Sequence, residues 1–172
     1  GRYLTKKIIE SRRYGQLVNL KGLYGKSKII SFDNQWRSKK SIAGGGILLD
    51  QGIHMLDLFI YFAGNFDSVQ SDISNLYWNL DIEDNVFALF KNNKGQVASL
   101  HSTMTQWRHL FSLEIFLEQG YIALNGLKTS SNSYGEEKLT IAVNRSESPS
   151  ATWSDTEQHT FKTDDSWERE LT

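Results

Sequence analysis

Two periodicities divide the chain. Before Gly64 two stretches, residues 3–14 and 44–64, carry apolar positions at helical spacing, and beyond it the apolar positions alternate almost to the last residues. Residues 3–14 place Leu4, Ile8 and Ile9 on one side and Lys6, Lys7, Arg12 and Arg13 elsewhere, with Gly15 following, which predicts a short amphipathic helix with a glycine stop. Residues 17–24 have an apolar, β-compatible composition and predict a strand that ends before Gly25. Residues 26–40 are polar and irregular apart from Ile29, Ile30, Phe32 and Trp36, and predict a loop. Residues 44–64 then form a long apolar run, flexible at its start through Gly44 to Gly46 and closed by Gly64, which predicts a buried helix.

After Gly64, residues 68–78, 85–91, 96–106, 110–118, 121–124, 139–144 and 157–161 each read as strands. The turns at Asn92-Asn-Lys-Gly95 and Glu118-Gln-Gly120 supply residues that tolerate positive φ, and short strands with hairpin-sized turns predict an antiparallel meander. In the strand at 96–106, Ala98, Leu100, Ser102 and Met104 lie opposite Val97, Ser99, His101, Thr103 and Thr105. In the next, Phe111, Leu113, Ile115 and Leu117 alternate with Ser112, Glu114, Phe116 and Glu118. That is the pattern of an α+β fold: an open, largely antiparallel sheet with helices packed on one face. The other face is only partly polar, as suits either an ordinary solvated sheet or one covered by another subunit. Residues 130–137 and 146–155 are polar, hold the single proline, and read as surface loops of one domain spanning 1–172.

The buried helix carries the chemistry. Asp50, His54 and Asp57 fall at i, i+4 and i+7, so they form one ionisable stripe on an otherwise apolar helix. A satisfied core histidine, an acid/base line and a pair of metal ligands all fit that spacing, although two or three ligands without cysteine or a second histidine in range make a poor metal site. A membrane span fits badly, because three ionisable groups on one face are expensive in hydrocarbon. Trp36-Arg37 fits a cation–π or packing pair, or the mouth of a site.

The composition narrows the classes. Nineteen basic and 20 acidic residues leave a net charge of −1, which does not advertise nucleic acid or an anionic membrane as partner. The absence of cysteine excludes disulfides and thiol chemistry and is compatible with the cytoplasm. Gly44-Gly-Gly46 lacks the preceding strand and the G-x-G-x-x-G spacing that would cradle a pyrophosphate. The chain opens directly into a helical pattern and closes on an N-cap with one helical turn behind it, and so reads as a fragment.

Trp36-Arg37, Ala43-Gly-Gly-Gly46, Leu49-Asp50, Gly52, His54, Asp57 and Gly64 together resemble the core motif of the glucose-fructose oxidoreductase, inositol dehydrogenase and MocA family. The resemblance continues through Glu83-Asp84, Lys94-Gly95, Thr105-Gln-Trp107 to Phe111, Glu114-Ile115, Gly120 and Ser133-Tyr-Gly-Glu136 to Leu139. It implies the substrate and oligomerisation half of a two-domain oxidoreductase that uses NAD or NADP on a sugar, nucleotide sugar or polyol. It further implies a homo-dimer or tetramer through the sheet face, and a cofactor bound mainly by a dinucleotide-binding domain absent from this chain.

By the same resemblance His54 exchanges a proton with the substrate hydroxyl, Asp50 orients it or touches substrate, and Trp36, Arg37 and Asp57 contribute to substrate binding. The family's Glu-Lys-Pro motif is absent here, so the chain alone is expected to be inactive. The alternative is a parent protein that keeps the scaffold as a non-catalytic carbohydrate-binding or assembly protein.

Overall fold

The computed structural model describes residues 1–27, 36, 39–143 and 155–161. Helix α1 (Arg2–Glu10) leads into strand β1 (Leu17–Ser27), and a short helix α2 (Lys40–Ala43) precedes a π-helical turn over Leu48–Gly52 that runs directly into α3 (Ile53–Ala63). Seven strands follow: β2 (Ser68–Ser74), β3 (Asn85–Lys91), β4 (Val97–Gln106), β5 (Leu110–Leu117), β6 (Gly120–Asn125), β7 (Glu137–Val143) and β8 (Thr156–Phe161).

The eight strands form one open sheet in the order β2-β3-β4-β1-β5-β6-β7-β8. Every neighbouring pair is antiparallel except β1 with β4, which run parallel. The meander expected from the turns is therefore interrupted: β4 and β5 are joined by three residues, yet β1 lies between them. Three extended residues reach roughly 10 Å, which is about two inter-strand spacings, so so short a connection can step over one strand.

Alternation decides which face is covered. Across the centre of the sheet Ala98, Leu20 and Ile115 stand in one row and Leu100, Gly22 and Leu113 in the next, all buried. Helix α3 lies over them with Met55 and Phe59 fully buried. Gly22 permits this approach, since a Cβ there would stand 2.6 Å from Met55 Cγ and 2.8 Å from Phe59 Cζ. Helix α1 covers the same face towards β6 and β7, packing Leu4, Ile8 and Ile9 on the core, and the Lys6 ammonium donates to the Tyr61 carbonyl at 2.6 Å to tie it to α3. Burying a side chain such as Phe59 contributes about 1.5–3 kcal/mol, so this one face holds most of the driving force for folding.

The first helix ends earlier than expected. It stops at Glu10, and Arg12 adopts φ +57°, so the chain has already turned before Gly15. The apolar run does close at Gly64, at φ +84°. By length and composition residues 40–63 could cross a membrane, but the face of α3 bearing Met55, Phe59 and Phe62 is spent on the sheet, as in a core helix.

Candidate functional site

The helical run is fixed at its start by a carboxylate from elsewhere in the chain. Glu83, just before β3, accepts the Gly46 N–H at Oε2 (2.8 Å) and the Leu48 N–H at Oε1 (3.1 Å), while its carbonyl accepts the Ile47 N–H at 3.2 Å. These are amides that a helix leaves without intrahelical partners, and an anion there also answers the positive end of the helix dipole. Its neighbour Asp84 is fully buried and accepts the Tyr77 and Trp78 amides at 2.8 and 3.1 Å, which orders the β2–β3 connection beside the same region.

Directly after the clamp comes the π-helical turn, a distortion that tends to occur where a side chain must be presented. It carries Asp50, and His54 follows in the first turn of α3. Both side chains line an open cleft of about 260 Å³. Ile82 and Met104, both buried, form its apolar floor; Gly45 and Gly46 bring backbone to one side; Trp36 and Leu49, each about half exposed, stand at the rim.

Asp57 is exposed and does not line the cleft. Trp36, read from the sequence either as a packing partner or as part of a site mouth, stands at the rim of the cleft, whereas Arg37 lies outside the described residues.

The two ionisable groups of the cleft are held differently. Asp50 Oδ2 accepts from the ammonium of Lys26 at the end of β1, and no bond joins Asp50 to His54. The imidazole of His54 is exposed and makes no hydrogen bond among the described residues. Of the two roles expected of Asp50, orienting His54 or touching substrate, the first has no direct bond behind it here, and each side chain faces the cleft on its own account.

Behind Asp50 lies a polar and aromatic layer that sequence reading missed. Gln51 accepts from the Tyr134 hydroxyl at 2.8 Å, and the Tyr134 ring meets Tyr24 and His109 edge-on at 5.5 and 5.0 Å. His109 Nδ1 and Ser27 Oγ are 2.9 Å apart. Burial raises the Tyr24 phenol above its ordinary value, the Tyr134 hydrogen bond opposes it, and the Asp50 carboxylate adds a smaller upward push; Tyr134 is likewise raised by burial first. Burial and the Lys26 charge hold His109 below the ordinary imidazole value. Both tyrosine shifts favour the neutral phenol, which keeps each hydroxyl as a hydrogen-bonding group. Among the described residues no three acidic or histidine side chains converge as metal ligands.

Residues 4–123 match the family model described as GFO/IDH/MocA C-terminal domain. The chain belongs to this family. Relatives of this GFO/IDH/MocA domain include levoglucosan dehydrogenase of Pseudarthrobacter phenanthrenivorans, 25% identical over an alignment 151 residues long that covers 71% of this chain and 38% of that protein. A solved levoglucosan dehydrogenase in complex with NADH and levoglucosan superposes with a TM-score of 0.71 at 26% identity, covering 93% of this chain and 43% of the other. The WlbA dehydrogenase of Bordetella pertussis, in complex with NADH and UDP-GlcNAcA, gives 0.65 at 25% identity over 72% of this chain and 39% of its own. The GFO/IDH/MocA domain described here thus spans less than half the length of these relatives.

The structure also tests whether this domain could hold a dinucleotide by its glycine run. It does not fit. The amides of Gly46 and Leu48, which would have to cradle a phosphate, are committed to the Glu83 carboxylate, and a second anion there would meet that negative charge.

Proposed function

We propose that this chain is the substrate-side half of an NAD(P)-dependent oxidoreductase acting on a hydroxyl of a sugar, nucleotide sugar or polyol. The observation that carries the reading is the cleft, in which an imidazole without a hydrogen bond among the described residues and a carboxylate stand side by side over an apolar floor in a domain of this family. The complexes of levoglucosan dehydrogenase with NADH and levoglucosan, and of WlbA dehydrogenase with NADH and UDP-GlcNAcA, support the substrate class.

Nicotinamide, held mainly by a dinucleotide-binding half outside this chain, supplies the hydride acceptor when bound. The residues of this chain have the remaining tasks. Oxidising a carbinol requires the hydroxyl proton to leave as the C–H hydride departs, and His54 is the group placed to take it, because its imidazole lines the cleft and makes no hydrogen bond among the described residues. Asp50 accepts a hydrogen bond from the substrate and fixes which hydroxyl faces His54. Trp36 closes the mouth with a flat apolar ring suited to a sugar's C–H face. We further propose that the uncovered sheet face, where Phe87 and Leu89 are about half exposed, pairs two or more copies.

The deciding experiment is kinetic, on the enzyme that carries this domain. His54→Ala lowers turnover by about 10²- to 10⁴-fold while cofactor affinity stays near wild type. If His54 serves only the fold, the variant instead melts lower and keeps its turnover per folded molecule, and the catalytic reading falls.

A further inference from the structure

Lys26 lies 24 residues before Asp50, at the far end of the central strand, and none of the chemistry above required it. Three observations single it out. Its ammonium is bonded to Asp50 Oδ2, and both side chains are partly withdrawn from solvent, Lys26 to 20% exposure and Asp50 to 34%. The sheet is irregular where Lys26 sits: Gly25 pairs with Thr103 and Ser27 with Gln106, so two residues of β4, Met104 and Thr105, stand opposite the single Lys26. A bulge of this kind bends the strand and re-aims the side chains next to it, and Met104 is part of the cleft floor. Finally, among the described residues Lys26 is the one bonded partner of the Asp50 carboxylate, on Oδ2, and Oδ1 faces the cleft side without a second such bond among them.

We propose that Lys26 is a positioning residue for the reaction: by pinning Oδ2 of Asp50 it presents Oδ1 to a substrate hydroxyl and so sets which carbinol lies against His54. The proposal rests on the oxidoreductase reading above. Gln51, next in the chain to Asp50, has its side-chain amide oxygen held by the Tyr134 hydroxyl, so the neighbouring side chain and the carboxylate are each held from a different part of the chain. A carboxylate on an open cleft wall would otherwise rotate about χ1 and χ2. Tied at one oxygen it offers the other in one direction, which is what selecting one hydroxyl among several on a sugar demands.

The test uses the full enzyme carrying this chain, with NAD and NADP, on the best substrate from a panel of sugars, polyols and nucleotide sugars. Lys26→Met lowers kcat by about 10- to 100-fold, the usual scale for a small misplacement of a reacting group, with cofactor KM unchanged. Lys26→Arg, which keeps the cation, recovers most of the loss. In an Asp50→Asn background Lys26→Met costs nothing further, since its effect is transmitted only through that carboxylate.

Several outcomes overturn the proposal. If Lys26→Met keeps wild-type kcat while His54→Ala abolishes turnover, this inference fails and the oxidoreductase reading stands. If Lys26→Met lowers only the melting temperature, or acts additively with Asp50→Asn, Lys26 is structural. A wild-type enzyme that turns over no member of the panel, or that is indifferent to His54→Ala, removes the reading and the inference together.

Discussion

The clamp at Glu83 gives the sharpest prediction for the fold, because a single carboxylate serves two amides at the start of the helical run. Glu83→Ala removes the bonds from Gly46 N–H (2.8 Å) and Leu48 N–H (3.1 Å) together. Hydrogen bonds to a charged group are worth about 1.5–3 kcal/mol each, and an amide left unsatisfied in the interior costs a further share. Gly46 is buried, so its amide bears that cost, while Leu48 is half-buried and recovers part of its loss from water. The expected destabilisation is therefore about 2–4 kcal/mol.

For a chain of 172 residues each kcal/mol moves the midpoint by about 2–4 °C, so the melting temperature falls by roughly 4–16 °C. Glu83→Gln keeps the length and one acceptor but turns an NH₂ towards one of the amides, and should lie about midway. Thermal melts by circular dichroism, with urea titrations to verify that the m-value is unchanged, measure both variants. A Glu83→Ala protein melting within about 1 °C of wild type would refute the assignment of these bonds as the anchor of the turn that carries Asp50.

Other expectations follow from the packing and the charges. Gly22→Ala pushes a methyl into Met55 and Phe59, both fully buried, and should cost about 1–3 kcal/mol by the overpacking route, visible in the same melts. His101, stacked on Phe87 and 3.2 Å from the Asn85 amide oxygen, is lowered from 6.5 by burial, and His109 by burial and then Lys26. The folded chain then binds fewer protons than the unfolded one, so their share of stability is intact above 6.5 and is lost as pH falls through 6.5 towards the lower folded values; His101→Gln with His109→Gln should flatten the melting temperature between about pH 7 and pH 5. On the outer sheet face, Phe87→Glu with Leu89→Glu should reduce the mass seen by light scattering to that of one chain while circular dichroism stays native, and unchanged oligomers would move the interface elsewhere.

How much was legible in the sequence depended on how far apart the interacting residues lie. Alternation within β3 to β7 is a local property, so the strands, their covered face and the fold class could be read from residues such as Ala98, Leu100, Leu113 and Ile115 alone. The position of β1 could not. Its parallel neighbour β4 begins some 70 residues later, and nothing in residues 107–109 distinguishes a hairpin turn from a step over an intervening strand. The site divides in the same way. Helical spacing brought Asp50 and His54 to one cleft, but a 3.6-residue period cannot register a π-helical turn, and it does not say which group Asp50 bonds.

Lys26 was lost for a specific reason: Gly25 reads as the end of a strand, whereas in the sheet it pairs with Thr103 in mid-strand. Its missing Cβ leaves room for side chains of the neighbouring strand, the Thr103 methyl among them, which would stand 3.2 Å away. Had the strand been carried two residues further, parity would have put Lys26 on the covered face behind Leu20, Gly22 and Tyr24, on the side where Asp50 lies. The side-chain contacts that Lys26, Glu83 and Tyr134 make with the turn carrying Asp50 come from a distance, 24 residues for Lys26 with Asp50, 37 for Glu83 with Gly46 and 83 for Tyr134 with Gln51. The turn itself is short and local, but its alignment is a property of the assembled sheet, and substitutions far from it in sequence should therefore tune the chemistry as strongly as those beside it.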